Sequence, residues 1–479
     1  MLASRDGRLG EVQGTRIRGV PRLAGGGGRE RSRGTAGHRG ARGRRMRPED
    51  AGPGEDGLVR ATFASLRRPA FRRYFVGHVL SLLGFWIRVI VQGWLVYELT
   101  GRRDTLGYVT AAGLLPLLVL SPFGGVLADR VDRRKLLMAL PWVAITANVV
   151  LGILVLTEQV LIGHVFAAAI LIGAARAVEI PVRNAFVSNL AGRTDLRNAI
   201  ALNSAGFNVA RVVGPALGAP LLWLLGVGPC FIIAAAMNLI MVIALAGIRL
   251  ESTNVDRMHA GPIKELLEGV RYVHGHRRTR TLMLLLAITL VFTWTYQTQM
   301  PAYAKDHLGM NESGYSLLMA APGLGALIGA LWVAGQVRAR RSNRYVVFGL
   351  VWAGAIAVFL LGLSSNVYAA VPLLVGAGFC QVGFMATSNG LVQESVPDEL
   401  RGRVMGIWAF VFGSFFPLGS LVMGTVAQRW SISWAWCVGA MLTVALSLVV
   451  LGRLPRRPLG GTPADPAQVG RAMIGDPAG

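Results

Sequence analysis

Twelve apolar stretches of about 20 residues succeed one another between Tyr74 and Gly452. They lie at roughly 74–98, 106–128, 136–157, 161–187, 199–224, 229–249, 281–303, 314–337, 345–363, 367–392, 402–425 and 431–452. Each is long enough to cross a hydrocarbon core of about 30 Å as a helix. Within lipid every backbone polar group must be satisfied inside its own segment, which makes helices the expected form. The connections are too short to hold a soluble catalytic domain. Charged residues make up 15% of the chain, against about 25% in an average globular domain. The expectation is an all-α integral membrane protein with twelve transmembrane helices.

The net charge of +24 raises nucleic acid as a partner, but its distribution argues against it. Odd-to-even connections hold four positive residues: Arg102, Arg103, Lys305 and Arg429. Even-to-odd connections and the C-terminal tail hold 23. Basic connections stay in the cytoplasm, so both termini are expected there, in a multi-pass membrane protein.

Residues 1–70 are rich in Arg and Gly (GGGGRERSRG, GHRGARGRR), lack apolar periodicity and are expected to be disordered. They contain no signal-peptide core. Met46 is an in-frame start, so 1–45 is read as untranslated or dispensable, the alternative being a polybasic arm drawn to anionic lipid. Residues 453–479 are expected to be a disordered tail. Cys230, Cys380 and Cys437 all fall within spans and imply no disulfide framework.

The chain repeats itself. LAGRTDLRNAIAL (190–202) is echoed by VPDELRGRVMG (396–406), with Leu196-Arg197 matching Leu400-Arg401 at an offset of 204. The basic connection at 129–135 is echoed by VRARRSNR (337–344). Six spans (71–250) precede a linker at 251–280 and six (281–452) follow it, which is the pattern of a transporter built from parallel repeats. The linker carries PIKELLEGVRYV, with Ile263, Leu266, Leu267 and Val270 on one face, an amphipathic helix expected to lie on the cytoplasmic surface.

After span 2 the chain reads GGVLADRVDRRK (124–135), where six of the seven residues from Asp129 to Lys135 are charged. Gly125 permits a close helix approach. Asp129 follows a helix C-terminus, where the dipole disfavours a carboxylate, so it needs a cation or a neighbouring helix N-terminus. Arg130, Arg133, Arg134 and Lys135 can be explained by topology alone, but the glycine and the acids cannot.

This stretch resembles the signature loop between spans 2 and 3 of the major facilitator superfamily, with Asp132 in place of the usual second glycine. The resemblance covers roughly 66–452 and implies that superfamily's fold. It also implies a conformational latch of Gly125, Asp129, Arg130, Arg133 and Arg134, in which Asp129 meets the start of span 11 near Gly402 and holds the cytoplasmic side closed in the outward-facing state. The runs LTGRRDTLGYVTAAGLLPLLVLSPFGGVLADRVDRRK, NAIALNSAGFNVARVVGPALG and VPDELRGRVMGIW are most similar to the bacterial branch containing the enterobactin exporter, the transmembrane secretion effectors.

Spans 3, 6, 9 and 12 have no ionisable residue in their interiors, whereas Arg88, Arg176, Glu179, Arg183 and Arg211 lie within spans 1, 4 and 5. Insertion scales set such a charge at about 2.5–3.5 kcal/mol, so these residues are expected to face protein or water. Arg176, Glu179 and Arg183 share one face of span 4. They form either a self-neutralising ladder or a proton-coupling site with Glu179 as carrier. Arg183 can alternatively snorkel to the inner interface. Related proton-coupled exporters often place a basic residue about twelve positions before the proline matching Pro181, where this chain has Ala169. In span 5, Gly206, Ala210, Gly214 and Gly218 recur every fourth residue and Pro215 favours a bend, similar to the glycine–proline motif of superfamily exporters with Ala210 replacing one glycine.

In the second half, Trp294, Gln297, Gln381 and Asn389 stand out as candidate substrate-cavity residues, with Phe292, Tyr296, Phe379, Phe384, Trp408 and Phe412 as apolar walls. The expected function is a proton-coupled secondary exporter of an amphipathic, anionic or zwitterionic small molecule such as a siderophore, antibiotic or drug. The alternatives are a lipid or lysophospholipid transporter of the same fold, or a membrane scaffold or sensor that does not transport. Protons and membrane lipids are the other expected partners. Enzyme chemistry has no support: there is no phosphate-binding GxxxxGK[ST], and His274-x-His276 is a weak metal pattern in a cationic loop, so neither a metal nor a cofactor is expected.

Overall fold

The structure, a computed structural model, describes residues 64–248, 262–339 and 344–452. A short turn, Ala64–Arg67, leads into α1 (Pro69–Thr100), α2 (Arg103–Arg130) and α3 (Arg133–Leu156). Helical geometry then runs from Ile162 to Leu225, containing α4 (Ile162–Val187) and α5 (Asn198–Leu225), and α6 (Val227–Ala246) closes the first half. The linker helix α7 (Pro262–Gly275) precedes the second half: α8 (Arg277–His307), α9 (Glu312–Ala339), α10 (Arg344–Leu363), α11 (Val367–Ser395), α12 (Asp398–Arg429) and α13 (Ile432–Gly452). Eleven of these are long and apolar enough to cross a bilayer, and α2, at 28 residues, is of similar length. The described residues include no strand.

The helices extend past the apolar runs that announce them. α1 begins at Pro69, whose missing N–H is harmless in a first turn, and ends at Gly101 with φ 59°. Asp132 caps α3: its carboxylate accepts from the backbone N–H groups of Arg134 (2.8 Å) and Lys135 (3.3 Å). That gives a local reason for an acid where the resembling loop has glycine.

The run 162–225 cannot be straight, since 64 residues of α-helix would span about 96 Å. Tyr74 touches both ends of the reversal, with its ring 5.8 Å from that of Phe186 and its hydroxyl 3.5 Å from Asn203 Oδ1. The chain therefore turns back between α4 and α5.

Packing repeats between the halves. α2 lies on α4 as α9 lies on α11, α1 on α6 as α8 on α13, and α3 on α6 as α10 on α13. Glycines permit these crossings at matching places. A methyl group on Gly173 would run into the backbone of Gly113, and one on Gly378 into the backbone of Pro322. Gly173 and Gly378 are 205 residues apart, the period of the sequence repeat. The halves meet through α2 against α12 and α5 against α9.

The linker helix packs on α12. Gly269 faces Arg403 and Ile407, Glu268 pairs with Arg403, and buried Tyr272 donates to the Ser395 carbonyl (3.0 Å). Leu267 and Val270 of the expected apolar face are exposed, 62% and 48%, in keeping with a helix at a lipid interface. The side chains of Ile263 and Leu266 lie outside the described residues, as do segments 1–63 and 453–479.

Candidate functional site

The charges of the first half converge on one small cavity. Its walls include His78, Phe85 and Arg88 of α1, Pro141 and Asn148 of α3, Arg176, Glu179 and Arg183 of α4, and Asn238 of α6. No residue of the second half lines it. It has room for water but not for an organic molecule. Only part of the expected ladder forms. Arg183 Nη1 donates to Glu179 Oε1 (2.8 Å), one helical turn away. Arg176 instead lies over the face of Phe85, 3.7 Å from the ring centroid, and makes no ion pair among the described residues. Arg88, 8% exposed, bonds the neutral amide of Gln92 and also approaches Phe85. Three guanidinium groups thus face one carboxylate.

Sequence reasoning missed several of the walls. His78 is 3% exposed and stacks on Tyr74 with ring centroids 5.5 Å apart. Ser81 donates to Asn238 Oδ1 (2.8 Å), and Asn148, 1% exposed, keeps its Oδ1 unbonded. An ionisable ring and two amides inside apolar runs were the available signals, and the arginines overshadowed them.

Arg211 stands apart from this cavity. Its Nη1 lies 3.0 Å from Met385 Sδ in α11, so it reaches across to the second half. The small residues of α5 seat α1: Cβ atoms on Gly206, Gly214 and Gly218 would press on Val79, Trp86 and Ile87 respectively, and Ala210 is fully buried. Pro215 lies within the helix.

In the second half, Gln297 donates to Gln381 Oε1 (2.9 Å), and buried Trp294 meets Phe384 and Phe412 edge to face. Asn389 is two turns further along α11 and accepts from Gln393 (2.6 Å), so it does not join that group. A break in α8 makes the cluster. The Trp294 N–H reaches back to the Thr289 carbonyl (2.8 Å), and the helix resumes only at Tyr296. Thr293 and Thr443 bond each other across α8 and α13 (2.6 Å). Interrupted membrane helices are tolerated where they are buried in protein or line a cavity, and no proline or glycine announces this one.

The expected latch is only partly described. The side chains of Gly125, Asp129 and Arg130 lie outside the described residues. Arg134 bonds the Leu245 and Ala246 carbonyls at the end of α6 (3.4 and 2.9 Å), which ties it within the first half. At the opposite end of the bundle, contacts sew the halves together. Arg103 pairs with Asp306 (2.8 Å), Tyr97 also donates to Asp306, and Arg103 reaches the Ala427 carbonyl (3.0 Å) and Gln428 (2.8 Å through its backbone N–H). Tyr315 donates to the Ile90 carbonyl (3.0 Å) and Ser316 to that of Ala219 (2.7 Å).

A family model described as transmembrane secretion effector matches residues 60–462. The chain is similar to a staphyloferrin A transporter of Staphylococcus aureus, 23% identical over 78% of this chain and 94% of that one. It is similar also to the multidrug efflux pump Tap of Mycolicibacterium fortuitum, 27% identical over 77% and 90%. Among solved structures, a bacterial homolog of the human lysosomal transporter Spinster, inward-facing and unoccupied, superposes with a TM-score of 0.63 at 13% identity, over 80% of this chain and 95% of that one, a likeness of fold.

Proposed function

The chain belongs to the transmembrane secretion effector family within the major facilitator superfamily, a multi-pass membrane transporter, and on that premise we propose that it exports an amphipathic, anionic or zwitterionic small molecule in exchange for protons. Export is the direction in the name of the multidrug efflux relative, and the other relative is by name a transporter of staphyloferrin A. The basic connections face the cytoplasm in this reading. The stitched end is then the outer end, and substrate enters from the cytoplasm between the halves. Its acidic group meets Arg211, and its apolar body meets the Trp294, Phe412 and Gln297–Gln381 group.

The observation that carries the proton reading is the Glu179–Arg183 pair. Glu179 is the one carboxylate on the cavity wall, and it is held by a single arginine. In such an exchange Arg183 swings away and Glu179 takes a proton from the outer side once substrate has left, and Glu179 gives that proton to the cytoplasm and pairs again with Arg183 as the next substrate loads. In proteoliposomes, Glu179→Gln is expected to abolish substrate movement driven by a pH gradient while sparing substrate binding and downhill exchange. Gradient-driven export at the wild-type rate with unchanged pH dependence would make the pair structural and move the coupling site elsewhere.

A further inference from the structure

The cavity of the first half holds more positive charge than the proton reading uses. Glu179 pairs directly with one guanidinium, that of Arg183, and among the described residues Arg88 and Arg176 make no ion pair, the Glu179 charge reaching Arg176 only at longer range. A ring face and a neutral amide soften these charges but do not cancel them. A further donor waits on the same wall: Arg183 is 9% exposed, and its Nε–H is buried without an acceptor. Buried donors in native proteins are nearly always bonded, and those that look unbonded call for a ligand or water. Three guanidiniums around one carboxylate, together with an orphaned guanidinium N–H, call for an acceptor that carries negative charge.

Space decides which one. The cavity admits something the size of a water molecule, which excludes an organic substrate or a lipid headgroup. Its walls come from α1, α3, α4 and α6 alone, away from Arg211 and from the Trp294 cluster. We propose that this cavity is a binding site for a small inorganic anion of chloride size, held by Arg88, Arg176 and the Nε–H of Arg183, and separate from the path of the organic substrate. The anion balances the arginines inside the first half, and Glu179 is left free to exchange its proton against Arg183.

The test uses the purified full-length protein in nanodiscs, melted in sodium chloride and in sodium gluconate at one ionic strength. Chloride is expected to raise the melting temperature saturably by several degrees, bromide to replace it and gluconate to do nothing, as ligand linkage requires. Arg176→Gln should flatten the chloride dependence, and Arg429→Gln, on the exposed end of α12, should keep it. If Arg176→Gln does not fold, bromide-soaked crystals of the wild type decide, with an anomalous peak expected within hydrogen-bonding distance of Arg176. Equal melting in chloride and gluconate, or an empty cavity in the bromide map, would overturn the site. Neither measurement needs a proton gradient, so losing the anion site leaves the export reading standing.

Discussion

Asp306 collects hydrogen bonds from two elements of the other half. Arg103 Nε and Nη2 donate at 3.2 and 2.8 Å, and the Tyr97 phenol donates as well. The two charged side chains are 24% and 32% exposed, so water screens the pair. A pair of that exposure contributes about 1 kcal/mol, which is roughly fivefold in the ratio of closed to open outer ends. Asp306→Asn should therefore shift the population towards the outward-open form by about that factor without unfolding the protein. Spin labels on the outer ends of α1 and α8 would report it, and a distance distribution identical to wild type would reject the role. Neither residue was legible as a gate in the sequence. Arg103 was read only as a loop charge that sets topology, and no local pattern joins it to an acid 203 residues away.

Among the helices, the close crossings are set by glycines, and two neighbours on α11 separate that role from composition. A Cβ on Gly378 would overlap the backbone of Pro322, which cannot move aside, whereas Gly376 faces open space. Gly378→Ala should cost about 1–3 kcal/mol, the usual range for overpacking, and lower the melting temperature, while Gly376→Ala should be close to neutral. Equal melting of the two variants would show that the α9–α11 contact is slack. Spans of this kind are readable because length and apolarity are local properties. The repeat was readable because its markers, the Leu-Arg pair at an offset of 204 and the basic connection after the second span of each half, are short local patterns. The break in α8 was not, because no helix breaker marks Thr293–Thr295 and its cause lies in the tertiary bonds made there. The α4 ladder was half legible. Helical spacing put Arg176, Glu179 and Arg183 on one face, but Arg176 turned to Phe85, a residue on another helix that spacing within α4 could not foresee.

For the whole molecule, the two ends of the bundle should act as one equilibrium. Transporters made of two packed halves rock about a central site, so closing one end opens the other. With the basic connections on the cytoplasmic side, as proposed, the stitches at Asp306 favour the form with the outer end closed. By the family resemblance, Asp129 favours the form with the cytoplasmic end closed. Asp129→Asn should then shift the protein towards the inward-facing form and slow transport, the opposite of Asp306→Asn. The two sites lie at opposite ends of the bundle, far enough apart for their effects to add. The double variant Asp129→Asn, Asp306→Asn should accordingly return the distance distributions at both ends towards wild type, even though each single change is damaging. Cysteine probes at the two ends provide the check. If the double variant instead leaves both ends reactive at once, each acid seals only its own end, and the halves do not share a single two-state equilibrium.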